Sequence, residues 1–496
     1  MRHISSLIGI LFLTAFFIFG AGIYHANARL VKEVYVGDPG YPTFTESVAT
    51  LNATVTSCTL YVPAGIHTVN DDLTVNSNVC LISRKVTAIR IESAKTLTIN
   101  GPFEAGLYQV FDCIGTGKVV LGAGAVKEVY PQWWGGTGAA QVQAAIDSCA
   151  GPQVILVPGT YALGTTSLSL TKSYINFKAL PGTKITYSGT GAAFLINPTS
   201  GILSNINVEF DLLVQNNAEA VGIKLDGDGW VQYSKFNWNW IDGTYNSAVV
   251  LAGAGLKNVN RFTGEKITST RGSFQYGIKI PDGKTLFEGN RFDVGSIAGA
   301  RTEGVYFGNT AWHNYFIGDV GNDNKANYSK VRIEGSRNTI QITGAAPLQD
   351  LFDQPAAPGE KEWYPTIHLG PNAVYNTIII SPHMMGGIIE EISNPGVWNN
   401  WVVPHVQDNL LKDPSFESTD ITAWTAKGLA ATHAISDNVK HGRFSRCLQT
   451  DTKTVGYLSQ NLPLYLANTE VTLCGWFLCP TNAGQQTLEL ADDTRG

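Results

Sequence analysis

The chain has 496 residues, with 34 Lys and Arg against 40 Asp and Glu, for a formal net charge of −6. That length exceeds one ordinary globular core, although a solenoid can run this long as one piece. The charge balance leaves no basic footprint for a nucleic acid. Gly is abundant at 52 residues, charged residues are only 15%, and Thr, Val, Ile, Asn and Ser fill the middle. This is the composition of a β-rich chain with many tight turns. With three Met and few long amphipathic patterns, a helical repeat is disfavoured. The seven Cys form an odd count, so at least one thiol is unpaired or pairs outside the chain. No C-x-x-C pair or Cys/His spacing suggests zinc.

Arg2 and His3 precede an apolar run from Leu7 to Ile23, and Ala26-Asn27-Ala28 supplies an A-x-A cleavage site. The expectation is a signal peptide over 1–28, cleaved after Ala28, and a secreted, periplasmic or cell-surface protein with no membrane contact thereafter. An uncleaved anchor is the competing reading. Over 29–128 short strands follow one another, among them Leu60-Tyr-Val62, Leu73-Thr-Val75, Val79-Cys-Leu-Ile82, Leu97-Thr-Ile99 and Val119-Val-Leu121. Pro63-Ala-Gly65 and Asn100-Gly101-Pro102 punctuate them, which suggests β coils. Cys58, Cys80 and Cys113 sit in such strand contexts and read as small buried apolar residues. Cys447, Cys474 and Cys479 cluster toward the end, with room for one disulfide.

Glu128 to Gly136 is an aromatic hinge, and Ala139 to Cys149 is the one helix predicted, with Val142, Ala145, Ile146 and Cys149 on one face. A helix there would cap the open end of a following solenoid, whose exposed edges otherwise invite strand pairing. Between Asn260 and Trp401 an Asn-x-apolar phrase recurs six times, as Asn260-Arg-Phe262, Asn290-Arg-Phe292, Asn314-Tyr-Phe316, Asn338-Thr-Ile340, Asn376-Thr-Ile378 and Asn399-Asn-Trp401. A second phrase precedes most of them, as in Gly222-Ile-Lys-Leu225, Ala248-Val-Val-Leu251, Gly277-Ile-Lys-Ile280 and Gly304-Val-Tyr-Phe307. Two strand-like phrases per period imply stacked β coils over 129–404. An insertion, Ala345 to Pro365, interrupts them. From Asn409 to Gly496 the pattern becomes that of a separate β-sandwich.

Val129-Tyr-Pro-Gln-Trp-Trp-Gly135, the helix around Val142-Gln-Ala-Ala-Ile-Asp147, and Val154-Ile-Leu-Val-Pro-Gly-Thr-Tyr161 together resemble the start of a pectate-lyase-like right-handed parallel β-helix. That superfamily includes polygalacturonases, polysaccharide lyases and phage tailspikes. The stretch before the helix reads Gly138-Ala-Ala-Gln141, where the family usually has Asp-Asp-Thr. The paired-Asp motifs of polygalacturonases and the Arg signature of pectate lyases are absent. The tail, opening Asn409-Leu-Leu-Lys-Asp-Pro-Ser-Phe-Glu417, is similar to family 4/9 carbohydrate-binding modules. The resemblance implies an all-β chain, a right-handed parallel β-helix followed by a jelly-roll-like β-sandwich that is incomplete at its end. It implies a polysaccharide partner and allows a tailspike-like homotrimer.

Solenoid registration turns the repeats into geometry. The apolar residue two after each Asn points inward, so Phe262, Phe292, Phe316 and Ile340 should stack. The Asn is expected at the turn, in the αL region, with its amide bonding its counterparts above and below. Alternation then puts Arg261, Arg291 and Tyr315 in one outer column, Thr263, Asp293 and Ile317 in a second, and Glu265, Gly295 and Asp319 in a third. Asp293 would lie roughly 8 Å from both Glu265 and Asp319 by coil spacing and strand rise. That suits an inverting glycosidase pair, at about 6.5–9.5 Å, better than a retaining pair at about 5–5.5 Å. A one-residue register error would undo the cluster.

Glu265, Asp293 and Asp319 are therefore the predicted catalytic set, with Arg261, Arg291, Tyr315, Trp238 and Trp363 binding an acidic sugar chain by charge and stacking. Elimination would need a basic residue or a tyrosine instead, and Tyr315 is the candidate. The bland alternative is a solvated face on which Arg–carboxylate pairs knit the coils. Asp226-Gly-Asp228-Gly229 resembles the start of a calcium loop without its later ligands and reads as a turn, so no cofactor is expected. The function expected is binding and depolymerisation of an extracellular polysaccharide by a glycoside hydrolase or lyase. The alternative is a non-catalytic glycan-binding adhesin or tailspike-like protein.

Overall fold

The computed structural model describes residues 32–149, 153–269, 274–321, 331–344, 367–370, 372–380, 389–391, 399–402, 425–427, 432–436, 445–449 and 457–459. The chain divides into two compact units, 1–404 and 405–496. In the second, Thr425–Lys427 pairs with Tyr457–Ser459 and Thr432–Ser436 with Ser445–Gln449, both antiparallel. The remainder of the sandwich expected over 409–496 lies outside the described residues, as does the insertion from Ala345 to Pro365.

The first unit opens with a small three-faced solenoid of parallel strands. One face is Lys32–Tyr35, Cys58–Val62, Val79–Ser83 and Phe103–Glu104; the others run through Gly65–Val69, Thr87–Ile91 and Phe111–Cys113, and through Leu73–Val75, Thr96–Ile99 and Lys118–Leu121. Alternation sends Leu60, Val69, Val75, Leu81, Ile89 and Leu97 into a common interior. A helix not anticipated from the sequence, α1 (Phe44–Asn52), lies against its first coil and buries Phe44, Val48 and Leu51. Its start has the spacing of a capping box: the Thr43 hydroxyl caps the Glu46 amide at 3.2 Å and donates to the Glu46 carboxylate at 2.7 Å. Thr43-x-x-Glu46 was thus one available signal.

The expected helix forms as α2 (Ala139–Ser148). It packs on Lys118–Leu121 of the small solenoid and on Gly159–Gly164 and Leu168–Ser169 of the next. It is a plug shared by two stacks, which is why Val142, Ala145 and Ile146 are all fully buried. Trp133 seals the same junction, its indole N–H donating to Gly106 O at 3.0 Å and its ring edge-on to Phe103.

Beyond it runs a parallel β-helix of about 11 turns. Each coil starts with a first-face strand, such as Asn207–Asn216, Arg261–Ile267, Arg291–Ile297, Tyr315–Val320 or Thr339–Gly344. A second-face strand follows, as in Val221–Leu225, Phe274–Ile280, Val305–Phe307, Val331–Ile333 and Ile367–Leu369. A short third-face strand closes the coil, as in Trp230–Gln232, Lys257–Asn258, Phe287–Glu288 and Ala311–Trp312. The apolar positions of the Asn-x-apolar phrase align as Phe236, Phe262, Phe292, Phe316, Ile340 and Ile378. Phe236, Phe262 and Phe292 stack face to face at 5.0 and 4.9 Å.

The asparagines form a buried ladder. Each Nδ2 donates to the Oδ1 of the next: Asn260 to Asn290 and Asn290 to Asn314 at 3.0 Å, then Asn314 to Asn338, Asn338 to Asn376 and Asn376 to Asn399 at 3.2 Å. The same Oδ1 also accepts the backbone N–H of the Asn before it, and Nδ2 also donates to a carbonyl of the preceding coil, Phe287 O in the case of Asn314. One expectation needs correcting. The αL residue is not the Asn but its predecessor: Tyr233, Val259, His313, Arg337 and Tyr375 have φ of 53–58° and Gly289 has 66°. The Asn is then free to point inward, while an exposed residue turns the corner.

Asn314→Ala should orphan the Asn290 amide N–H groups and cost roughly 3 kcal/mol or more of unfolding free energy in denaturant titration. Val259→Gly should be neutral or stabilising, since a β-branched αL residue costs about 1–2 kcal/mol, whereas Gly289→Val should destabilise by a similar amount.

Candidate functional site

On the first face, Arg261, Arg291 and Tyr315 align, and Thr263, Asp293 and Ile317 align, as expected. The third column is corrected. The pairing of Arg291–Ile297 with Tyr315–Val320 shifts by one residue at Gly295, so Asp319 faces Ser296 and Lys266 rather than Gly295 and Glu265. The bulge follows from the close approach at Gly295, where a Cβ would sit 2.7 Å from Glu265 O. Asp293 is gripped on both sides, by Arg261 Nη2 at 3.1 Å and Arg291 Nε at 2.9 Å. Arg291 stacks on Tyr315 at 4.3 Å, and Tyr315 donates to Gln341 Oε1 at 2.8 Å. Glu265 is exposed beside this network. The face joins Arg261, Arg291, Asp293 and Tyr315 into one cross-coil network.

Trp238 is also corrected. It was expected on the surface, but it is 3% exposed, because strand alternation turns it inward with Phe236. Its indole fills the space above Gly264, where a Cβ would fall 2.0 Å from the ring. Trp363 lies outside the described residues. In the Asp226-Gly-Asp228-Gly229 turn, the carbonyls of Gly227 and Gly229 accept from the buried Lys257 ammonium at 3.0 and 3.1 Å, with Gly255 O at 2.7 Å. Burial lowers the Lys257 pKa to about 8, against the pull of Asp226 and Asp228. The turn's oxygens thus already hold a cation, one supplied by the chain itself.

The second face carries a denser constellation. Its outward column runs Lys224, Val250, Lys279, Tyr306, Arg332 and His368. Arg332 donates to Glu334 Oε1 from Nη2 at 2.7 Å and from Nε at 2.8 Å, and its Nη1 lies 4.0 Å from Glu303 Oε1. Glu303 and Glu334 are only 4% and 7% exposed. With one guanidinium between them, the two carboxylates are roughly 9 Å apart at most, a bound that admits both the retaining spacing of about 5–5.5 Å and the inverting one of about 6.5–9.5 Å. Gly370 leaves room for the second carboxylate, since a Cβ there would meet Glu334 Oε2 at 1.6 Å.

Aromatic and basic groups complete the face. Tyr276 and Tyr306 lie 5.9 Å apart, and Lys279 sits over the Tyr276 ring at 4.0 Å. The Tyr306 hydroxyl donates to Asp282, which also fixes the Asn309 amide at 2.8 Å. Asp282 borders a half-open pocket of about 220 Å³ with Lys284, Phe287 and Thr310. Burial pushes the Glu303 carboxyl above the ordinary glutamate value, with Arg332 opposing. Burial likewise depresses Lys279, with Glu303 and Asp282 opposing, and burial followed by the bond to Asp282 raises Tyr306. A buried carboxyl pushed upward, next to a second carboxylate that grips the shared arginine, sets two glutamates in different environments.

The Asn phrase projects onto the first face alone and so does not reveal the second. The third residue of the other phrase (Lys224, Val250, Lys279, Tyr306) gives this column by the same alternation. No family model, no curated protein and no solved structure matches this chain.

A raised folded-state pKa means the stabilising contribution of Glu303 is complete below the unfolded value, about 4.3, and is lost as pH rises through the folded value. Glu303→Gln should therefore melt higher than wild type at pH 7, and the two should converge at pH 4. A carboxylate retained only for its ion pair would give the opposite sign at pH 7.

Proposed function

We propose that this protein binds and cleaves an extracellular polysaccharide along the outer second face of its β-helix, by hydrolysis between Glu303 and Glu334. The observation that carries the reading is the pair of nearly buried glutamates on either side of Arg332, one of them with its carboxyl pushed up by burial. The fold is common in polysaccharide-active and tailspike proteins, which agrees with a long groove-binding substrate. Glu303 gives its proton to the glycosidic oxygen as the C–O bond breaks. Glu334 takes a proton from the water whose oxygen bonds to the anomeric carbon, and exchange with solvent restores both groups. Tyr276 and Tyr306 offer rings to sugar faces, and Lys279 favours an acidic sugar.

Elimination is a second reading, favoured by the burial-depressed Lys279 beside Tyr306. Lys279 as a neutral amine would take the proton next to a uronate carboxyl, and Tyr306 would protonate the leaving oxygen as the C–O bond breaks. Export follows from the Arg2 to Ala28 segment, and the module from Asn409 onward would hold the protein on its glycan; both belong to the proposal.

The test is a panel of neutral and acidic polysaccharides incubated with the full chain. New reducing ends without unsaturated uronate support hydrolysis, and ultraviolet absorbance of unsaturated uronate supports elimination. Glycan retention with neither product would leave a binding protein of the adhesin or tailspike kind. For hydrolysis, Glu303→Gln and Glu334→Gln should each lower kcat by about 10²–10⁴-fold. Asp293→Asn should leave turnover unchanged, whereas a comparable loss there would return the chemistry to the first face. The rate should fall as pH rises through the elevated Glu303 pKa.

A further inference from the structure

The corners between third-face and first-face strands carry one outward residue per coil, the αL residue that precedes each ladder position. At one end of this column Arg337 lies between two aromatic rings, 5.7 Å from the Trp312 centroid and 5.6 Å from that of Tyr375. Its backbone is fixed by φ of 58° and by its amide donating to Val374 O at 2.9 Å. Arg261, Arg291 and Arg332 each have a carboxylate on their guanidinium, whereas Arg337 has none among the described residues. His313 occupies the same corner position one coil earlier, its ring 4.4 Å from that of Trp312 and its Nδ1 3.6 Å from Glu288.

Trp312 comes from the coil before and Tyr375 from the coil after, and Arg337 itself is exposed, so its guanidinium N–H edge is open to a ligand. That edge presents parallel donors suited to two oxygens of one oxyanion. Holding the side chain in place beforehand removes much of the ordering cost of binding. The packing alone does not account for the residue, because an exposed corner could carry any side chain tolerant of αL, and Gly289 fills the same place. The flanking Trp312 and Tyr375 rings add apolar surface for the body of a sugar.

We infer that Trp312, Arg337 and Tyr375 form a second glycan-binding site, separate from the second-face groove, which clamps a carboxylate or sulfate group of an acidic polysaccharide. It binds whether or not the second face cleaves. Three probes test it on the full chain by affinity electrophoresis: polygalacturonate for carboxylate, dextran sulfate for sulfate, and neutral dextran. Arg337→Ala should weaken binding of at least one acidic probe by about tenfold, and Arg337→Lys by nearly as much, because a point charge lacks the planar edge. Arg337→Gly, which relieves the αL backbone instead of straining it, should behave as Arg337→Ala and excludes misfolding as the cause. Trp312→Ala should weaken the same probe several-fold. Which acidic probe responds identifies the oxyanion. Full affinity in Arg337→Gly, full affinity in Arg337→Lys, or equal retention by neutral dextran would each overturn the clamp.

Discussion

The asparagine ladder is the constraint on which the molecule's other geometry depends. Side-chain amides from Asn260 to Asn399 bond one another inside the solenoid, and five of the six are at most 1% exposed. A buried amide without partners costs about 1–3 kcal/mol, so each rung penalises any coil that slips by one residue. Stacked phenylalanines alone would not do this, since apolar contacts tolerate sliding. The ladder also explains the αL corner before each Asn, because the chain must turn sharply there to bring the amide inside. Strain at the corner is offset by bonds in the interior.

Fixed register converts strand alternation into columns of outward side chains, and the columns differ in what they can do. On the first face Asp293 meets two guanidinium groups and Tyr315 meets Arg291 and Gln341, so these four side chains each have a partner of matching chemistry. On the second face one guanidinium serves two carboxylates and reaches the further one only at 4.0 Å. The surplus acid is what burial pushes toward its neutral form. The burial of its carboxylates, rather than the number of charged residues, distinguishes the second face from the first.

The stacking order, the inward Phe column, the plug helix and two of three outer columns were legible because they need only a period and an alternation. The failures have local causes. Gly295 admits a bulge that no period reveals, and it displaced Asp319. Trp238, expected at the surface, sits two residues after Phe236 on one strand and so shares its inward side. Helix α1 is nine residues long, and its signals were the Thr43-x-x-Glu46 spacing and the i, i+4, i+7 run of Phe44, Val48 and Leu51. Glu303 and Glu334 flank second-face strands rather than occupy the repeated phrase, so their meeting at Arg332 depends on two neighbouring coils at once.

The central claim is that ladder-imposed register leaves Glu303 as a poised acid on the outer second face. A carboxyl-carbon NMR titration of the glutamate-labelled protein, with the Glu303 signal assigned by its loss in Glu303→Gln, tests it without knowledge of the substrate. The account predicts that this carboxyl titrates clearly above the ordinary glutamate value of about 4.3. A titration at or below that value would mean Arg332 outweighs burial, and the second face would then be an ion-paired scaffold like the first.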